Sequence, residues 1–226
     1  MTARGRLLVF GGFFAIVILL IAVVGIIAAS GPNHVQYSST PMIEGERYVT
    51  DEFEPAFSFE AVGKGWTLDA PEAPRALLLH NYGLYLDVLN LNDVTVIDPS
   101  GADRVPAPED MVGWYQEHPY LDTERPEPLS IGGVKGVYFD AVMTTLPKGH
   151  DLACEDASSE EVQLSLIGAP DGSALCLLPE DKVRIILLED VKGEPVSIMM
   201  WSRAVNFEEH LAKTQKLLKS VEWEGG

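Results

Sequence analysis

The chain has 226 residues, with 34 acidic and 16 basic side chains and a formal net charge of −18 at pH 7. Two of the basic residues, Arg4 and Arg6, lie at the N-terminus, so the sequence from residue 44 onward carries a formal charge of −20. A surface this negative repels nucleic acid and anionic membranes, which argues against both as partners of the folded part. The length suffices for one medium-sized domain with a substantial core, plus an anchor.

Residues 7–29 form an apolar run without a single charged side chain. As a helix these 23 residues rise about 34 Å, enough to cross the hydrocarbon core of a bilayer. Arg4 and Arg6 precede the run and no basic residue follows it until Arg47. The positive-inside rule therefore predicts a single-pass transmembrane helix with residues 1–6 in the cytoplasm and the remainder outside. The alternative is a cleaved signal peptide, but the apolar region of a signal peptide is usually shorter, about 7–15 residues.

Residues 30–46 are polar and contain Gly, Pro and Ser without a period, which predicts a tether. A single extracytoplasmic domain is predicted at 47–224. Apolar or alternating runs predict strands at 57–62, 75–80, 84–91, 94–97, 134–145, 162–168, 173–178, 182–190 and 194–202. The run at 94–97 is expected to extend the same sheet as the strands before it. The last two runs are apolar on both faces, as central strands covered on both sides are.

Glycine-containing turns are predicted between several strands. Residues 81–83 and 191–193 each lie between two strand-like runs and predict hairpins. The stretch LSIGGVKGVYFD combines glycines with a lysine, as phosphate-binding loops do, but it lacks the spacing of those loops and continues into a strand rather than a helix. Gly132 and Gly133 are therefore expected to turn between two strands, and Gly136 to form a bulge or a close approach of two backbones.

Two helices are predicted. The first opens with Pro108, Glu109 and Asp110 in its first turn, carries Trp114 at helical spacing, and ends at Pro119. The second is expected to begin at Asn206 as its N-cap, with Glu209 completing a capping box. Its apolar stripe recurs every three or four residues and consists of Phe207, Leu211, Thr214, Leu217, Leu218 and Val221.

The two cysteines, Cys154 and Cys176, both fall in the part predicted to lie outside the membrane, where an isolated pair forms a disulfide. Twenty-one residues separate them, and closing such a loop contributes about 3 kcal/mol in the chain-entropy model. Neither belongs to a C-x-x-C pair and no histidine stands at zinc-finger spacing. No metal site, redox site or cofactor is predicted.

Three short motifs carry a resemblance to a known family. Gly-Trp leads into a proline-containing turn at 65–74, a GG-x-x-G pattern enters a strand at 132–136, and SVEW closes the last helix at 220–223. The pattern resembles extracytoplasmic domains of membrane-anchored bacterial proteins, notably actinobacterial ones, that have the Mog1/PsbP-like α/β/α sandwich. The resemblance implies an α+β domain with a mainly antiparallel sheet flanked by helices. It also implies a binding or accessory role and no reaction.

Catalytic and metal-binding motifs are absent from the sequence. Neither the serine-hydrolase elbow G-x-S-x-G nor the metalloprotease motif H-E-x-x-H occurs. A hydrolase would have to draw its acid and base groups from Asp98, Asp140 and the scattered histidines, which are His80, His118, His150 and His210. Four acids beside the first cysteine form an oxygen-rich cluster of the kind that suits calcium, although the spacing of a calcium loop is missing. They are Glu155, Asp156, Glu160 and Glu161.

These observations predict a single-pass, membrane-anchored extracytoplasmic module of the cell envelope that binds a protein partner or a small ligand without catalysis. A membrane-tethered hydrolase is the first alternative. The second is a sensor, which would act through a membrane partner because only six residues precede the anchor. Gly11 and Gly12 would allow close helix packing for such signalling.

Overall fold

The computed structural model describes residues 33–34, 40–50, 52–68, 73, 75–99, 103–145, 163–168 and 174–224. The predicted membrane span at 7–29, most of the tether and the acidic cluster beside Cys154 lie outside these ranges. The chain divides into two compact units, Met1–Asn33 and His34–Gly226, and the second holds the folded domain. No helix within the described ranges combines the length and apolar character that a membrane crossing requires.

The described chain is mostly strand, with two α-helices. The strands are β1 Asn33–His34, β2 Arg47–Val49, β3 Phe57–Glu60, β4 Thr67–Leu68, β5 Ala76–Asn81, β6 Leu84–Asn90, β7 Thr95–Ile97, β8 Arg104–Pro106, β9 Leu121–Thr123, β10 Glu127–Ile131, β11 Val134–Met143, β12 Leu164–Gly168, β13 Ala174–Leu177, β14 Asp181–Val191, β15 Glu194–Arg203 and β16 Glu222–Trp223. The helices are α1 Met111–Glu117 and α2 Phe207–Leu218, with 3₁₀ turns at Leu91–Asp93 and Ala204–Asn206.

The main sheet has eight antiparallel strands in the order β10-β11-β14-β15-β6-β5-β4, with β9 also paired to β11. Two-residue turns at 82–83, 132–133 and 192–193 join β5 to β6, β10 to β11 and β14 to β15. Both residues of each turn have positive φ, the type I′ geometry that matches the twist of a hairpin. The turns predicted at these three places are confirmed.

Gly136 lies within β11, where its Cα faces Leu188 of β14. A Cβ atom at this position would lie 2.2 Å from the carbonyl oxygen of Leu187, so only glycine permits this approach of the two strands. The predicted close approach of backbones is confirmed. The segment continues as strand β11 rather than as a helix, so it does not form a phosphate-binding loop.

Strands β14 and β15 lie in the middle of the sheet and are apolar on both faces, as predicted. Alternate side chains of these strands enter two separate hydrophobic cores. The first core also contains the apolar face of α2, and the second contains Met111 and Tyr115 of α1. The domain is thus an antiparallel sheet with one helix on each face. The apolar stripe predicted for α2 is confirmed, since its side chains are buried in the first core.

Two small sheets cover the faces that the helices leave open. One has the order β1-β2-β3-β16 and contributes to the first core, and the other has the order β13-β12-β7-β8 and contributes to the second. The prediction that 94–97 extends the main sheet is wrong, because β7 pairs with β12 and β8. The 3₁₀ turn Leu91–Asp93 leads the chain out of the main sheet after β6. The side chain of Asn90 stabilises that turn by accepting a hydrogen bond from the backbone of Asn92, at 3.1 Å.

The prediction that Asn206 caps α2 in a capping box is also wrong. Asn206 ends the 3₁₀ turn Ala204–Asn206 and already has helical dihedrals, and its side chain makes no capping hydrogen bond. An N-cap residue has non-helical backbone dihedrals. At α1 the cap is present: the Asp110 carboxylate accepts a hydrogen bond from the N–H of Gly113 at 2.8 Å.

Candidate ligand-binding cleft

A cleft of about 470 Å³ lies between the main sheet and α2, within the size range of small-molecule sites. Its strand side is formed by β10, β11, β14 and β15, and its helix side by the second half of α2. The apolar lining residues are Leu129, Ile131, Ile186, Met200, Leu211 and Leu218, and the remaining ones are Ser130, Gly132, Tyr138, Arg184, Thr214, Gln215 and Lys219.

The period of the strands explains which side chains reach the cleft. Residues two apart on a strand point to the same face, so Arg184 lies beside Ile186 on the face that α2 covers. The turn at Gly132 borders the cleft because it packs closely against Trp223 of β16. A Cβ atom at Gly132 would lie 2.7 Å from Cδ1 of the indole, and the indole Nε1 donates a hydrogen bond to the carbonyl of Ile131 at 3.1 Å.

Arg184 is held in place from two sides. Its Nε and Nη2 donate hydrogen bonds to the two carboxylate oxygens of Asp140, at 2.6 and 3.0 Å. Its Cζ lies 4.5 Å from the centre of the Tyr138 ring. The third guanidinium nitrogen, Nη1, makes no hydrogen bond within the described ranges. One edge of the guanidinium is therefore fixed and the other is unused.

A wider group of charges surrounds this pair. The ammonium of Lys182 lies 2.8 Å from Asp140 and 3.5 Å from the exposed Glu124. Burial disfavours the charge of Lys182, but the hydrogen bond to Asp140 and the nearby carboxylates outweigh it and raise the pKa of Lys182. The Tyr138 hydroxyl donates to Glu127 at 2.6 Å, and this hydrogen bond is the main reason that the pKa of Tyr138 is raised. Lys182 is therefore a cation at neutral pH, and Tyr138 keeps its hydroxyl proton.

Thr214 contributes a polar group without a partner. The residue is 1 % exposed and lines the cleft from α2, and its hydroxyl has no hydrogen-bond partner in the described part of the chain. Nδ1 of His210, one turn earlier on α2, is also buried and unpartnered there. Burial and the charge of Lys213 lower the pKa of His210, so this imidazole is neutral at pH 7. A buried polar atom without a partner costs free energy, and a bound ligand is one way to satisfy it.

The structure does not bring the sequence-predicted acid and base groups together. Asp140 is committed to its ion pairs with Arg184 and Lys182. Asp98 follows β7 in the small sheet on the opposite face, where its N–H bonds to the carbonyl of Asp103 at 3.0 Å. The hydrolase alternative gains no catalytic arrangement from these residues.

The described histidines have local structural roles. Nε2 of His80 accepts a hydrogen bond from the N–H of Gly83 at 3.1 Å. His118 follows α1, packs against Trp114 and accepts from the N–H of Tyr120 through Nδ1 at 3.3 Å. Burial lowers the pKa of His118 to about 4. Neither these two histidines nor His210 pairs with a carboxylate within the described ranges, and His150 lies outside them.

The predicted disulfide and the acidic cluster of the kind that suits calcium fall largely outside the described residues. Cys176 is not a free thiol, but Cys154 lies outside the described ranges, so the pairing of the two stays a prediction. The acidic cluster at 155–161 also lies outside them, and calcium binding there remains untested. Among the described residues no group of three or more His, Cys, Asp or Glu side chains is arranged to hold a metal ion.

Sequence reasoning missed the residues that define the cleft, chiefly Arg184, Thr214 and Lys219. One signal was present: Asp140 and Arg184 are opposite charges placed inside two strongly apolar strand segments. Charged residues in such positions are rarely buried unless they are paired, so the two strands were candidates for neighbours. Nothing in the sequence marked the space between α2 and the sheet.

Comparisons with known proteins complete this description. No family model and no curated protein matches the chain. The solved structures that match include the solution structure of cyanobacterial PsbP (CyanoP) from Synechocystis sp. PCC 6803, at 9% sequence identity and a TM-score of 0.38. The match covers 82% of this chain and 97% of that chain. A similarity of this size does not assign the chain to a family.

Proposed function

We propose that the chain is a membrane-anchored, extracytoplasmic binding module of the cell envelope, without catalysis, whose ligand site is the cleft between the main sheet and α2. The observation that carries the proposal is the cleft itself. It has the size of a small-molecule site, its walls are mainly apolar, and a few polar groups converge on it. This combination is typical of binding sites in proteins.

The polar groups of the cleft favour a ligand over an empty surface groove. Among the described residues the hydroxyl of Thr214 is buried without a protein partner, and the guanidinium of Arg184 has one nitrogen without a hydrogen bond. A ligand that bonds to the Thr214 hydroxyl offsets the cost of keeping that hydroxyl from water, and the guanidinium of Arg184 offers it a further donor. A concave space of this size suits a small molecule better than a protein surface.

The location rests on the sequence. The apolar run at 7–29, with Arg4 and Arg6 before it, favours an uncleaved anchor and a domain outside the membrane. The resemblance of three motifs to Mog1/PsbP-like domains favours a binding or accessory role.

Protease added to intact spheroplasts should cleave the full-length protein after residue 47. A domain that resists the protease outside but is cleaved after lysis would have the opposite orientation.

The ligand itself can be sought in full-length protein purified from its native membrane, followed by mass spectrometry of the small molecules that co-purify. Gln215 is an exposed lining residue, so Gln215→Trp fills the mouth of the cleft with little effect on the core. Ala212→Trp is the matched control, because Ala212 is exposed on the same helix but does not line the cleft.

A compound that co-purifies with the unchanged protein and with Ala212→Trp, but not with Gln215→Trp, is the expected result. Equal retention by both variants would place the ligand elsewhere on the protein. The absence of any bound compound, together with a reproducible crosslinked protein in the native membrane, would replace the small-ligand site by a protein-binding role.

A further inference from the structure

We propose that the cleft binds an amphipathic molecule with a single anionic group, a carboxylate or a phosphate, that bonds to Arg184 while the apolar part lies between the sheet and α2. This inference rests on the proposed function, because it requires the cleft to be a ligand site. It adds the chemical class of the ligand.

The way in which the guanidinium of Arg184 is held favours an anionic ligand. Nε and Nη2 are fixed by Asp140, and the plane of the group stacks near the ring of Tyr138. Nη1 is left without a hydrogen bond in the described part of the chain. Guanidinium groups match the geometry of carboxylate and phosphate. A side chain already held on one edge loses little conformational freedom when the other edge binds a ligand.

The charges of the side chains that line the cleft also favour an anion. The charged side chains that line the cleft, Arg184 and Lys219, are both cations, although the protein as a whole carries a formal net charge of −18. The neighbouring carboxylates are already engaged: Asp140 by Arg184 and Lys182, Glu124 by Lys182, and Glu127 by Tyr138. None of these three acids lines the cleft. The charged side chains that touch a ligand in the cleft are therefore positive, in a molecule whose net charge is negative.

The apolar side chains of the cleft indicate the nature of the rest of the ligand. Six apolar side chains line the cleft, and they favour an apolar chain or ring over a fully polar molecule such as free phosphate. A purely apolar ligand is disfavoured too. It would expel water from Nη1 of Arg184 and would leave the Thr214 hydroxyl without a hydrogen bond. An amphipathic anion satisfies both requirements.

The test compares four eight-carbon probes that differ in the head group: octanoate, octyl phosphate, octanol and octylammonium. Binding is measured by equilibrium dialysis to the full-length protein in phosphatidylcholine nanodiscs, with empty nanodiscs as the blank. One charge-assisted hydrogen bond predicts that at least one anion binds about tenfold more tightly than octanol. Octanoate as the tighter anion would assign a carboxylate, and octyl phosphate a phosphate. Octanol or octylammonium binding as tightly as both anions would overturn the proposal.

Two lysines at the C-terminal end of α2 supply a matched pair of substitutions that tests where the anion binds. Lys219 lines the cleft, whereas Lys216, three residues earlier, is exposed and does not. We expect Lys219→Gln to raise the Kd of the preferred anion about threefold, because an exposed cation contributes a modest attraction. Lys216→Gln should leave the Kd unchanged. If both variants raise the Kd equally, the effect comes from the net charge of the protein. That result would contradict an anion held in the cleft.

The two proposals fail in different ways. If octanol and octanoate bind equally and Gln215→Trp abolishes the binding of both, the cleft is a ligand site but its ligand is not an anion. If no probe binds the unchanged protein above the blank, both the anionic ligand and the proposed cleft function are refuted.

Discussion

Asp140 and Arg184 are Cα partners across β11 and β14, 44 residues apart in sequence, and their side chains form a doubly hydrogen-bonded ion pair. The carboxylate is 3% exposed and the guanidinium 14%. The pair thus joins two central strands and, at the same time, sets the orientation of the charged group that lines the cleft.

Removing one partner of this ion pair should lower the stability of the folded protein. Arg184→Met leaves a buried carboxylate with only Lys182 opposite, and we expect the free energy of unfolding to fall by about 3 kcal/mol. Arg203→Met is the control, because Arg203 forms an exposed ion pair with Glu180, and such a pair contributes less than about 1 kcal/mol. The double variant Asp140→Leu/Arg184→Met should recover part of the loss. Urea unfolding of all three measures the effect, and equal losses for Arg184→Met and Arg203→Met would contradict it.

The unpartnered hydroxyl in the cleft makes a prediction of opposite sign. Thr214→Val keeps the shape of the side chain and removes the hydroxyl, so the ligand-free protein should become more stable by about 1 kcal/mol. Thr50→Val is the matched substitution at a buried hydroxyl that is bonded, since Oγ1 of Thr50 contacts the N–H and the carbonyl of Phe57. That variant should lose about 1–2 kcal/mol. Thermal unfolding of the two variants compares them directly. A loss of stability in Thr214→Val would mean that its hydroxyl is bonded.

Two glycines of the hairpin formed by β10 and β11, Gly133 and Gly136, should respond differently to alanine. Gly136→Ala directs a methyl group at the backbone of Leu187. This backbone cannot move without separating β11 from β14, so we expect the free energy of unfolding to fall by about 3 kcal/mol. At Gly133 an added Cβ meets nothing within 4 Å, but φ is +82°. Gly133→Ala should therefore lose only about 1 kcal/mol. Similar midpoints for the two variants in denaturant would show that the strands adapt to the methyl group.

His118 predicts a loss of stability in acid. Burial lowers its pKa from 6.5 to about 4 in the folded protein, so between these pH values the unfolded chain takes up a proton that the folded protein resists. The contribution is complete above pH 6.5 and disappears as the pH falls towards 4, with a total of up to about 3 kcal/mol. His210 adds a loss of the same sign, since its pKa is lowered too.

The substitution His118→Asn separates these contributions. The asparagine side chain retains an acceptor for the N–H of Tyr120 but does not titrate, so the free energy of unfolding should depend less steeply on pH between 6.5 and 4. An unchanged slope in His118→Asn would assign the acid sensitivity to other groups.

The cysteine pair makes a prediction that thiol counting can check. If Cys154 and Cys176 are joined, denatured full-length protein isolated from the envelope without reductant should show no reactive thiol and should show two after reduction. Reduction should also lower the free energy of unfolding by about 3 kcal/mol. Reactive thiols before reduction would contradict the predicted disulfide.

The sequence was informative where local chemistry decides the structure. The turn at 192–193 lies between two long apolar runs, and a type I′ turn accepts few residues, so the hairpin of β14 and β15 was predictable. The stripe of α2 was predictable for a similar reason, because one helix face buries its side chains at regular spacing. These features depend on residues close together in the chain.

The sequence was uninformative where distant segments meet. The run at 94–97 has the same strand pattern as its neighbours, and only its pairing with β12, some 70 residues later, places it in another sheet. The position of Arg184 opposite Asp140 depends likewise on the register between β11 and β14. The cleft requires β10, β14 and α2 together. Local patterns do not contain such long-range geometry.

The last strand has a consequence for synthesis. β16 pairs with β3, and the hydroxyl of Ser220 accepts a hydrogen bond from the N–H of Glu60, 160 residues earlier. Trp223 then packs on the turn at Gly132. A part of the first core that includes β3 is thus completed by residues made about 160 positions later in the chain. A nascent chain that ends before residue 220 leaves β3 with an open edge, so the domain can close only after β16 has left the ribosome.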